Sequence, residues 1–366
     1  MQYGVILTSG DPRTAAELAT DAEAAGWDGV FTFDAIAIDG QALYDPWVVL
    51  AAIAMRTDRV RLGAVVFAAT RRRPWGFAHQ AITLDILSNG RLVLPVGLGA
   101  LDDKAFGNVG EPTDARTRAQ LLDETLAIVE GLGSGEPFSF EGEHYRFGPM
   151  TIRPGPVQRP RIPVWVIGAW PHERSMRRAV HWDGIVVQAA GADGRPAAEL
   201  GLLPEIVAWC RRERPRALQH RPFEIVVDGV TPTDDAVAAA AIVRAHEEAG
   251  ATWWLEADWA NTAPDVLRAR ILAGRPGAAD RLPASQPDRR RPCDPPVAVE
   301  AEAIAPCVAA QREADHVLER LADLDPAGLW DMPTSADLVM PAQAAHVPDE
   351  PPLEDHRPIG RPAGEP

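Results

Sequence analysis

The chain has 366 residues, of which 46% are hydrophobic and 24% are charged, as in an ordinary soluble globular protein. Its formal net charge of −16 argues against non-specific binding to nucleic acid, which requires a basic surface. Its three cysteines show neither metal-ligand spacing nor even pairing, so neither a zinc site nor a disulfide framework is expected.

The N-terminal residues 1–7 contain an apolar run without a preceding basic segment, so they predict a first β-strand and not a signal peptide. No apolar stretch is long enough to span a bilayer, and we expect no membrane association. Together with the cysteine content, these features indicate a protein of the reducing cytoplasm.

Strand-like and helix-like segments alternate along the chain from its N-terminus. The predicted strands comprise residues 3–7, 30–33, 60–67, 92–96, 164–167, 184–187, 223–227 and 252–255. The helices predicted to follow them comprise residues 14–25, 46–55, 76–87, 114–130, 174–180, 199–212, 234–249 and 264–273. The strands are too apolar for half-solvated strands, so we interpret them as covered on both faces, as in a parallel sheet.

One short phrase recurs where a predicted helix gives way to a predicted strand. Residues 23–31 read EAAGWDGVF, residues 179–187 read AVHWDGIVV, and residues 248–255 contain a looser version. Gly26 and Gly250 stand where glycine is preferred just beyond a helix C-terminus. A recurring junction between a helix and a buried strand is typical of β/α proteins.

The eight strand–helix pairs predict an α/β fold of the (β/α)8 TIM-barrel type over residues 1–275, with an open doubly wound sheet as the alternative. Residues 134–162 interrupt the alternation. Aromatic runs on either side of a turn at residues 141–143 predict a hairpin arm between strands 4 and 5. Residues 276–366 are Pro-rich and predict a largely irregular C-terminal tail with one short helix at residues 309–324.

In a barrel of this type, the active site lies at the carboxyl ends of the strands. The residues that follow the predicted strands include Asp34, Ala35, residues 67–74, residues 97–100, residues 168–172, Gln188, Asp228 and Glu256. Asp34 ends a buried strand, where a lone carboxylate is costly unless it is paired or functional. The run of three arginines after the third predicted strand, Arg71 to Arg73, predicts a solvated loop.

The glycines at two strand ends allow two interpretations each. Gly97 and Gly99 either let the backbone approach a flat ligand or form a tight turn. Gly168 precedes a predicted helix whose first amides either bind a phosphate or are capped by the protein itself. We find neither a Ser-His-Asp order nor a cluster of metal ligands, so we expect no metal.

An ordered series of phrases covers residues 1–275. The series comprises residues 26–34, 59–74, 83–94, 96–99, 106–107, 122–126, 135–145 and 156–166. Together these phrases resemble the luciferase-like flavin-dependent oxidoreductases, a family of TIM barrels. The resemblance implies that the mouth of the barrel binds reduced FMN, or alternatively the 8-hydroxy-5-deazaflavin coenzyme F420.

The resemblance also implies roles for particular residues. Asp34 should lie near the flavin headgroup, and we expect it to be a catalytic residue. Val65 and Val66 align with a non-prolyl cis peptide or bulge that backs the isoalloxazine ring. The remaining cofactor contacts that we expect are Gly97 and Gly99 at the ring or ribityl chain, Gly168, Ala169 and Trp170 at the phosphate end, and Gln188.

Two departures from the family pattern bear on the chemistry. Ala35 stands where many members have a histidine, and Leu98 stands where luciferases have a phosphate-binding arginine. We therefore do not expect a luciferase-type aldehyde reaction.

Three functions are consistent with this pattern. The first is a two-component monooxygenase that uses reduced FMN and O2 on a small organic substrate, with a separate flavin reductase as partner. The second is hydride transfer through the deazaflavin coenzyme, because one scaffold supports both chemistries. The third is a flavin-free, non-catalytic barrel that acts through its tail. We expect a cytoplasmic homodimer.

Overall fold

The computed structural model of the protein describes residues 1–190, 196–197 and 200–276. Apart from Pro276, the predicted tail and its helix at residues 309–324 lie outside the described residues. None of the helices in the described ranges is both long enough and apolar enough to cross a membrane.

All eight predicted strand–helix pairs are present in the structure. The strands are β1 (Gln2–Ile6), β2 (Gly29–Thr32), β3 (Arg61–Ala64), β4 (Phe67–Ala68), β5 (Leu94–Gly97), β6 (Phe138–Glu141), β7 (Arg146–Met150), β8 (Val164–Trp170), β9 (Gly184–Ala190), β10 (Pro196–Ala197), β11 (Glu224–Gly229) and β12 (Trp253–Glu256). The helices are α1 (Pro12–Ala24), α2 (Pro46–Ala54), α3 (Pro74–Leu87), α4 (Ala115–Gly133), α5 (Glu173–Ala179), α6 (Leu203–Glu213), α7 (Ala236–Glu248) and α8 (Pro264–Leu272).

The main sheet is nearly closed. Its strand order is β3-β2-β1-β12-β11-β9-β8-β5-β4, with parallel neighbours, and β10 pairs antiparallel with β9. A parallel bridge between Leu62 on β3 and Leu92, just before β5, joins the two halves of this order. The predicted TIM barrel is confirmed and the open doubly wound alternative is wrong, because a doubly wound sheet has two free edges.

Helix boundaries follow capping residues in the sequence. Asp11 and Asp45 accept hydrogen bonds from the first amides of α1 and α2, and a proline follows each of them. Gly26 and Gly250, which follow α1 and α7, have positive φ angles of 84° and 106°. This conformation reverses the chain into the next strand and favours glycine, as the recurring phrase predicts.

Three aromatic rings fill the amino-terminal part of the barrel interior. The ring centroids of Trp165 and Trp253 lie 5.2 Å apart, and Phe31 lies 5.8 Å and 5.9 Å from them. All three residues belong to one buried cluster, whereas Val164 and Val166 face the helices in another. Because these rings occupy one end, open space in the barrel is confined to the carboxyl ends of the strands.

The predicted hairpin arm is also confirmed. Strands β6 and β7 form a separate antiparallel pair, and their aromatic side chains pack against α3 and α4. The Glu124 carboxylate on α4 accepts hydrogen bonds from the backbone amides of Glu143, His144 and Tyr145, at distances of 2.7–3.2 Å. One side chain thus satisfies three successive amides in the turn.

We expect Glu124→Ala to loosen this arm without unfolding the barrel. The substitution removes the only acceptor shown for these amides, and an unmade hydrogen bond of this kind costs about 1–3 kcal/mol. Amide hydrogen exchange of residues 143–145 should accelerate at least about tenfold. The control is Glu130→Ala on the same helix, which loses a surface pair with Arg161. Unchanged exchange at residues 143–145 in Glu124→Ala would contradict this account.

Candidate active site

A cavity of about 1630 Å³ opens at the carboxyl ends of the barrel strands. Ligand pockets for one small molecule commonly measure about 300–1,000 Å³, so this cavity has room for two ligands side by side. It has two chemically distinct parts, an apolar inner wall and a charged outer rim.

The inner wall comes from the strand ends and the loops directly after them. Its residues are Ile6, Val65, Val66, Gly97, Leu98, Gly99, Ile167, Ala169, Val186, Val187, Gln188, Asp228 and Trp259. The peptide bond between Val65 and Val66 is cis, one of the two geometries that the resemblance implies. Trp259 is half exposed and packs edge-on against Phe33 at 5.4 Å. Most of this surface is apolar, which suits a flat hydrophobic ring.

The outer rim lies between α4 and α5 and carries many cations. We call the following residues the basic rim: Arg116, His172, Arg174, Arg177, Arg178 and His181. Arg177 pairs with Glu173 and Glu213, and Arg178 pairs with Asp123. Arg116 and Arg174 are exposed and form no ion pair with any described residue. These two guanidinium groups are therefore available to an anionic ligand.

Six of the predicted cofactor contacts line the cavity together: Val65, Val66, Gly97, Gly99, Ala169 and Gln188. They reach one surface from four different strands or strand ends, as expected for the mouth of a barrel. Their contacts with a cofactor remain predictions. The other three predicted residues, Asp34, Gly168 and Trp170, do not line the cavity.

The sequence predicts a loop from residue 168 onward, and this boundary is wrong. Gly168 and Trp170 belong to a strand and face away from the cavity. Strand β8 continues to Trp170, and side chains alternate between the two faces of a strand. A Cβ atom on Gly168 would lie 2.1 Å from Ile185 Cδ1, so only glycine fits there. Trp170 packs against Trp209 on α6 at 6.3 Å. Of the three expected phosphate-end residues, Ala169 alone points into the cavity.

Asp34 is engaged by protein groups instead of facing the cavity. Its side chain is fully buried and lies 2.8 Å from both Arg71 Nη2 and Arg72 Nη2. The carboxylate also accepts a hydrogen bond from the backbone amide of Ala68 at 3.0 Å. These contacts hold the Asp34 carboxylate away from the cavity surface, and its expected role beside a flavin remains a prediction.

The prediction of a solvated arginine loop holds for Arg73, which is exposed, but is wrong for Arg71, whose side chain is only 3% exposed. Its guanidinium group bridges Asp34 and Asp103, which lies in the loop after β5. Burial alone would raise the pKa of Asp103. Hydrogen bonds from the amides of Ile36 and Ala105 and from Arg71 outweigh burial and lower that pKa to about 2. The network joins the loops after β2, β4 and β5.

A stacked aromatic ring extends this network to the cavity. Two guanidinium groups contact the Phe106 ring, with Arg71 Cζ at 5.1 Å and Arg118 Cζ at 4.7 Å from its centroid. Arg118 in turn donates hydrogen bonds to the carbonyl oxygens of Leu98 and Gly99. The loop at Leu98 and Gly99 is therefore held in place by an arginine on α4.

Asp228 is the candidate functional residue that sequence reasoning did not select. It lies near the carboxyl end of β11 and lines the cavity, and burial raises its pKa. In the sequence, the signal for Asp228 is its position at the end of a strand. Asp34 and Glu256 carry the same signal. Glu256 is instead paired with Arg270 and hydrogen-bonded to Thr231. No group of metal-binding side chains occurs within the described ranges.

Comparison with known proteins identifies the family. The model of the luciferase-like monooxygenase family matches residues 2–279. The chain belongs to this family. Luciferase-like proteins include flavin- and F420-dependent oxidoreductases, so the protein is an enzyme of that broad class.

Luciferase-like relatives with different cofactors resemble the chain about equally. It is 30% identical over 156 residues to the oxygenase component of a flavin-dependent trigonelline monooxygenase from Acinetobacter baylyi. It is 34% identical over 170 residues to an F420-dependent glucose-6-phosphate dehydrogenase from Kineococcus radiotolerans. These matches cover 43% and 44% of this chain, and 43% and 48% of the two relatives.

Among solved structures, an F420-dependent secondary alcohol dehydrogenase bound to an F420–acetone adduct superimposes with a TM-score of 0.61 at 18% identity. The match covers 74% of this chain and 97% of the dehydrogenase. At this identity, the similarity establishes the fold of the luciferase-like barrel and leaves the reaction to be argued from the site.

Proposed function

We propose that this protein is a two-component monooxygenase that binds reduced FMN and uses O2 on a small organic substrate. The observation that carries this proposal is the cavity, in which an apolar inner wall leads to arginines that have no ion-pair partner among the described residues. A flavin has the same division, because an apolar tricyclic ring is joined through a ribityl chain to a phosphate.

The residues present fit such a cofactor. The face of a flat ring would contact Val65, Val66 and Ile167 of the inner wall. The ring could also approach the backbone closely at Gly97 and Gly99, which carry no side chains. The Gln188 amide both donates and accepts hydrogen bonds, as the polar edge of a flavin ring requires. Arg116 and Arg174 would hold the phosphate, since guanidinium groups match phosphate oxygens in geometry and charge.

The bound flavin would supply the redox chemistry, and the protein would supply binding, orientation and exclusion of water. The apolar side chains of the inner wall exclude water from the barrel interior. The remaining volume of the cavity leaves space for the substrate beside the ring. Trp259, at the entrance, would cover part of that space.

A second candidate function is hydride transfer with the deazaflavin coenzyme F420. The basic rim favours it, because its arginines Arg174, Arg177 and Arg178 extend along α5 and Arg116 lies on α4. A single phosphate needs fewer cations, whereas the deazaflavin coenzyme carries a longer anionic tail. Relatives with both cofactors exist, so their names favour neither one.

Direct titration tests the proposal. Purified protein should bind FMN, reduced FMN or the reduced deazaflavin with a dissociation constant in the micromolar range, measured by fluorescence. Substrate-dependent O2 uptake with reduced FMN would support the monooxygenase, and anaerobic turnover with the deazaflavin would support hydride transfer. If no cofactor binds below the millimolar range, the enzyme proposal fails and a flavin-free barrel acting through its tail is favoured.

The proposal extends to the setting of the enzyme. A two-component monooxygenase receives reduced FMN from a separate flavin reductase, so we propose such a reductase as a partner. A homodimer in the cytoplasm remains part of the proposal, and sedimentation of the full chain tests the oligomeric state.

A further inference from the structure

One carboxyl group that lines the cavity, that of Asp228, has no ion-pair partner among the described residues. On β11, Val226 belongs to the cluster inside the barrel, whereas Ile225 and Val227 belong to the cluster beneath the helices. The alternation of a strand therefore places Asp228 on the interior face, directly above Val226, where it lines the cavity.

The buried carboxylates near the strand ends are all neutralised by arginine. Asp34 and Asp103 share Arg71, and Glu256 pairs with Arg270 at 3.1 Å. Asp228 is only partly exposed, yet no described side chain donates a hydrogen bond to it or forms an ion pair with it. A carboxylate that faces an apolar wall is costly unless it is paired, protonated or kept for a ligand.

The two strands next to Asp228 contribute no cation to the surface of the cavity. Strand β9, on one side, contributes the neutral Gln188 to the same surface. On the other side β12 contributes Glu256, which is turned toward Arg270, and Asp258 after β12 accepts hydrogen bonds from Ala260 and Asn261. The charged groups that share the cavity with Asp228 are Asp123 and the basic rim. Each of these residues lies on α4, on α5 or directly beside α5.

We propose that Asp228 is the proton donor of this site, acting as a neutral carboxylic acid on the carbonyl or hydroxyl oxygen of a substrate in the inner part of the cavity. In the transfer, the Asp228 O–H bond breaks as an O–H bond forms on the substrate oxygen. The carboxylate that remains takes up a proton again when the product leaves. This inference rests on the proposed function and deepens it.

The same environment defines the class of substrate. A protonated carboxyl group donates one hydrogen bond, so it suits a molecule with an accepting oxygen, such as a carbonyl compound. Burial raises the pKa of Asp228, which retains the proton at a higher pH than in an exposed aspartate.

The test compares the full-length protein with Asp228→Asn, which keeps the shape and the donor but cannot release a proton. Infrared difference spectra of the wild type should contain a protonated-carboxyl band that disappears as the pH rises through the raised pKa. The band should be missing in Asp228→Asn. The control is Asp258→Asn, with the same charge change next to the cavity, and this variant should retain the band.

Ligand binding provides a second readout. Cyclohexanone, as a neutral carbonyl probe, should bind more weakly to the wild type once Asp228 ionises, and Asp228→Asn should bind it independently of pH. In the cofactor-loaded enzyme, Asp228→Asn should lower turnover about 10²–10⁴-fold, the range for acid–base residues.

The two hypotheses fail in different ways. A wild type that shows no protonated band, or a band that persists in Asp228→Asn, would overturn the assignment of Asp228. A wild type that shows the band but binds neither FMN nor deazaflavin would overturn the proposed function instead.

Discussion

Replacing Arg71 with alanine should lower the free energy of unfolding by about 3–5 kcal/mol, the typical cost of removing one member of a buried ion pair. The Arg71 guanidinium is 3% exposed and contacts two carboxylates, Asp34 and Asp103, which are themselves buried. The substitution leaves negative charge in the interior without its main counter-ion. Urea unfolding followed by circular dichroism measures the change.

Arg72→Ala is the matched control for this experiment. Arg72 has the same chemistry, lies next in the chain and also pairs with Asp34, but its side chain is 17% exposed. In Arg72→Ala, Asp34 keeps its bond to Arg71, so the expected loss is below about 2 kcal/mol. Equal losses in the two variants would show that burial of the Arg71 bridge has no special effect.

The same network predicts how stability depends on pH. The pKa of Asp103 is lowered to about 2 in the folded protein, from an ordinary value of 3.8. Its contribution to stability is therefore present above about pH 4 and is lost as the pH falls toward 2. Arg71→Ala removes one of the groups that lower this pKa, so acid should destabilise the variant less steeply than the wild type.

The second large effect concerns cofactor affinity. The double variant Arg116→Gln/Arg174→Gln should weaken FMN binding about 10²-fold, because each charged hydrogen bond to phosphate contributes about 1.5 kcal/mol or more. Both arginines line the cavity and are unpaired among the described residues. The binding of riboflavin, which lacks the phosphate, should not change. Fluorescence titration with both ligands measures the difference.

A charge-matched variant separates this local effect from a change in net charge. Arg59→Gln/Arg146→Gln removes two cations from exposed surface pairs with Glu23 and Glu141, outside the cavity. Its FMN affinity should equal that of the wild type. If both double variants weaken FMN and riboflavin alike, the basic rim does not hold the phosphate.

The fold was predictable because its signals are local. An apolar run predicts a buried strand wherever it occurs, and Gly26 and Gly250 mark helix ends through their own backbone preference. The hairpin arm is likewise encoded within one segment, by aromatic residues on both sides of a turn. Only the number of strand–helix pairs was then needed to favour a barrel.

The roles of the charged residues depend on partners distant in the sequence. Arg71 reads as part of a solvated basic run, because Asp34 precedes it by 37 positions and Asp103 follows it by 32. Asp34 and Asp228 have the same local pattern, a carboxylate after an apolar strand. The loops that pack beside each carboxylate decide whether an arginine neutralises it. No local sequence pattern encodes this packing.

The outward direction of Gly168 and Trp170 depended on a strand boundary. The residues Gly-Ala-Trp look like a loop, yet β8 continues through them and alternates their directions. Since the period of a strand is two, an error of a few residues in its end decides which side chains reach the cavity.

The ion network of Asp34, Arg71 and Asp103 has a consequence for how this barrel can diversify. It fastens the loops after three strands to one another, and the stack on Phe106 ties them to α4. Near Asp228, Glu256 pairs with Arg270 and accepts hydrogen bonds from Thr231, which fastens the loops after β11 and β12 as well. Substitutions that adapt the enzyme to new substrates should therefore accumulate at exposed residues of the mouth such as Trp259, while the two ion networks stay constant in descendants of this chain.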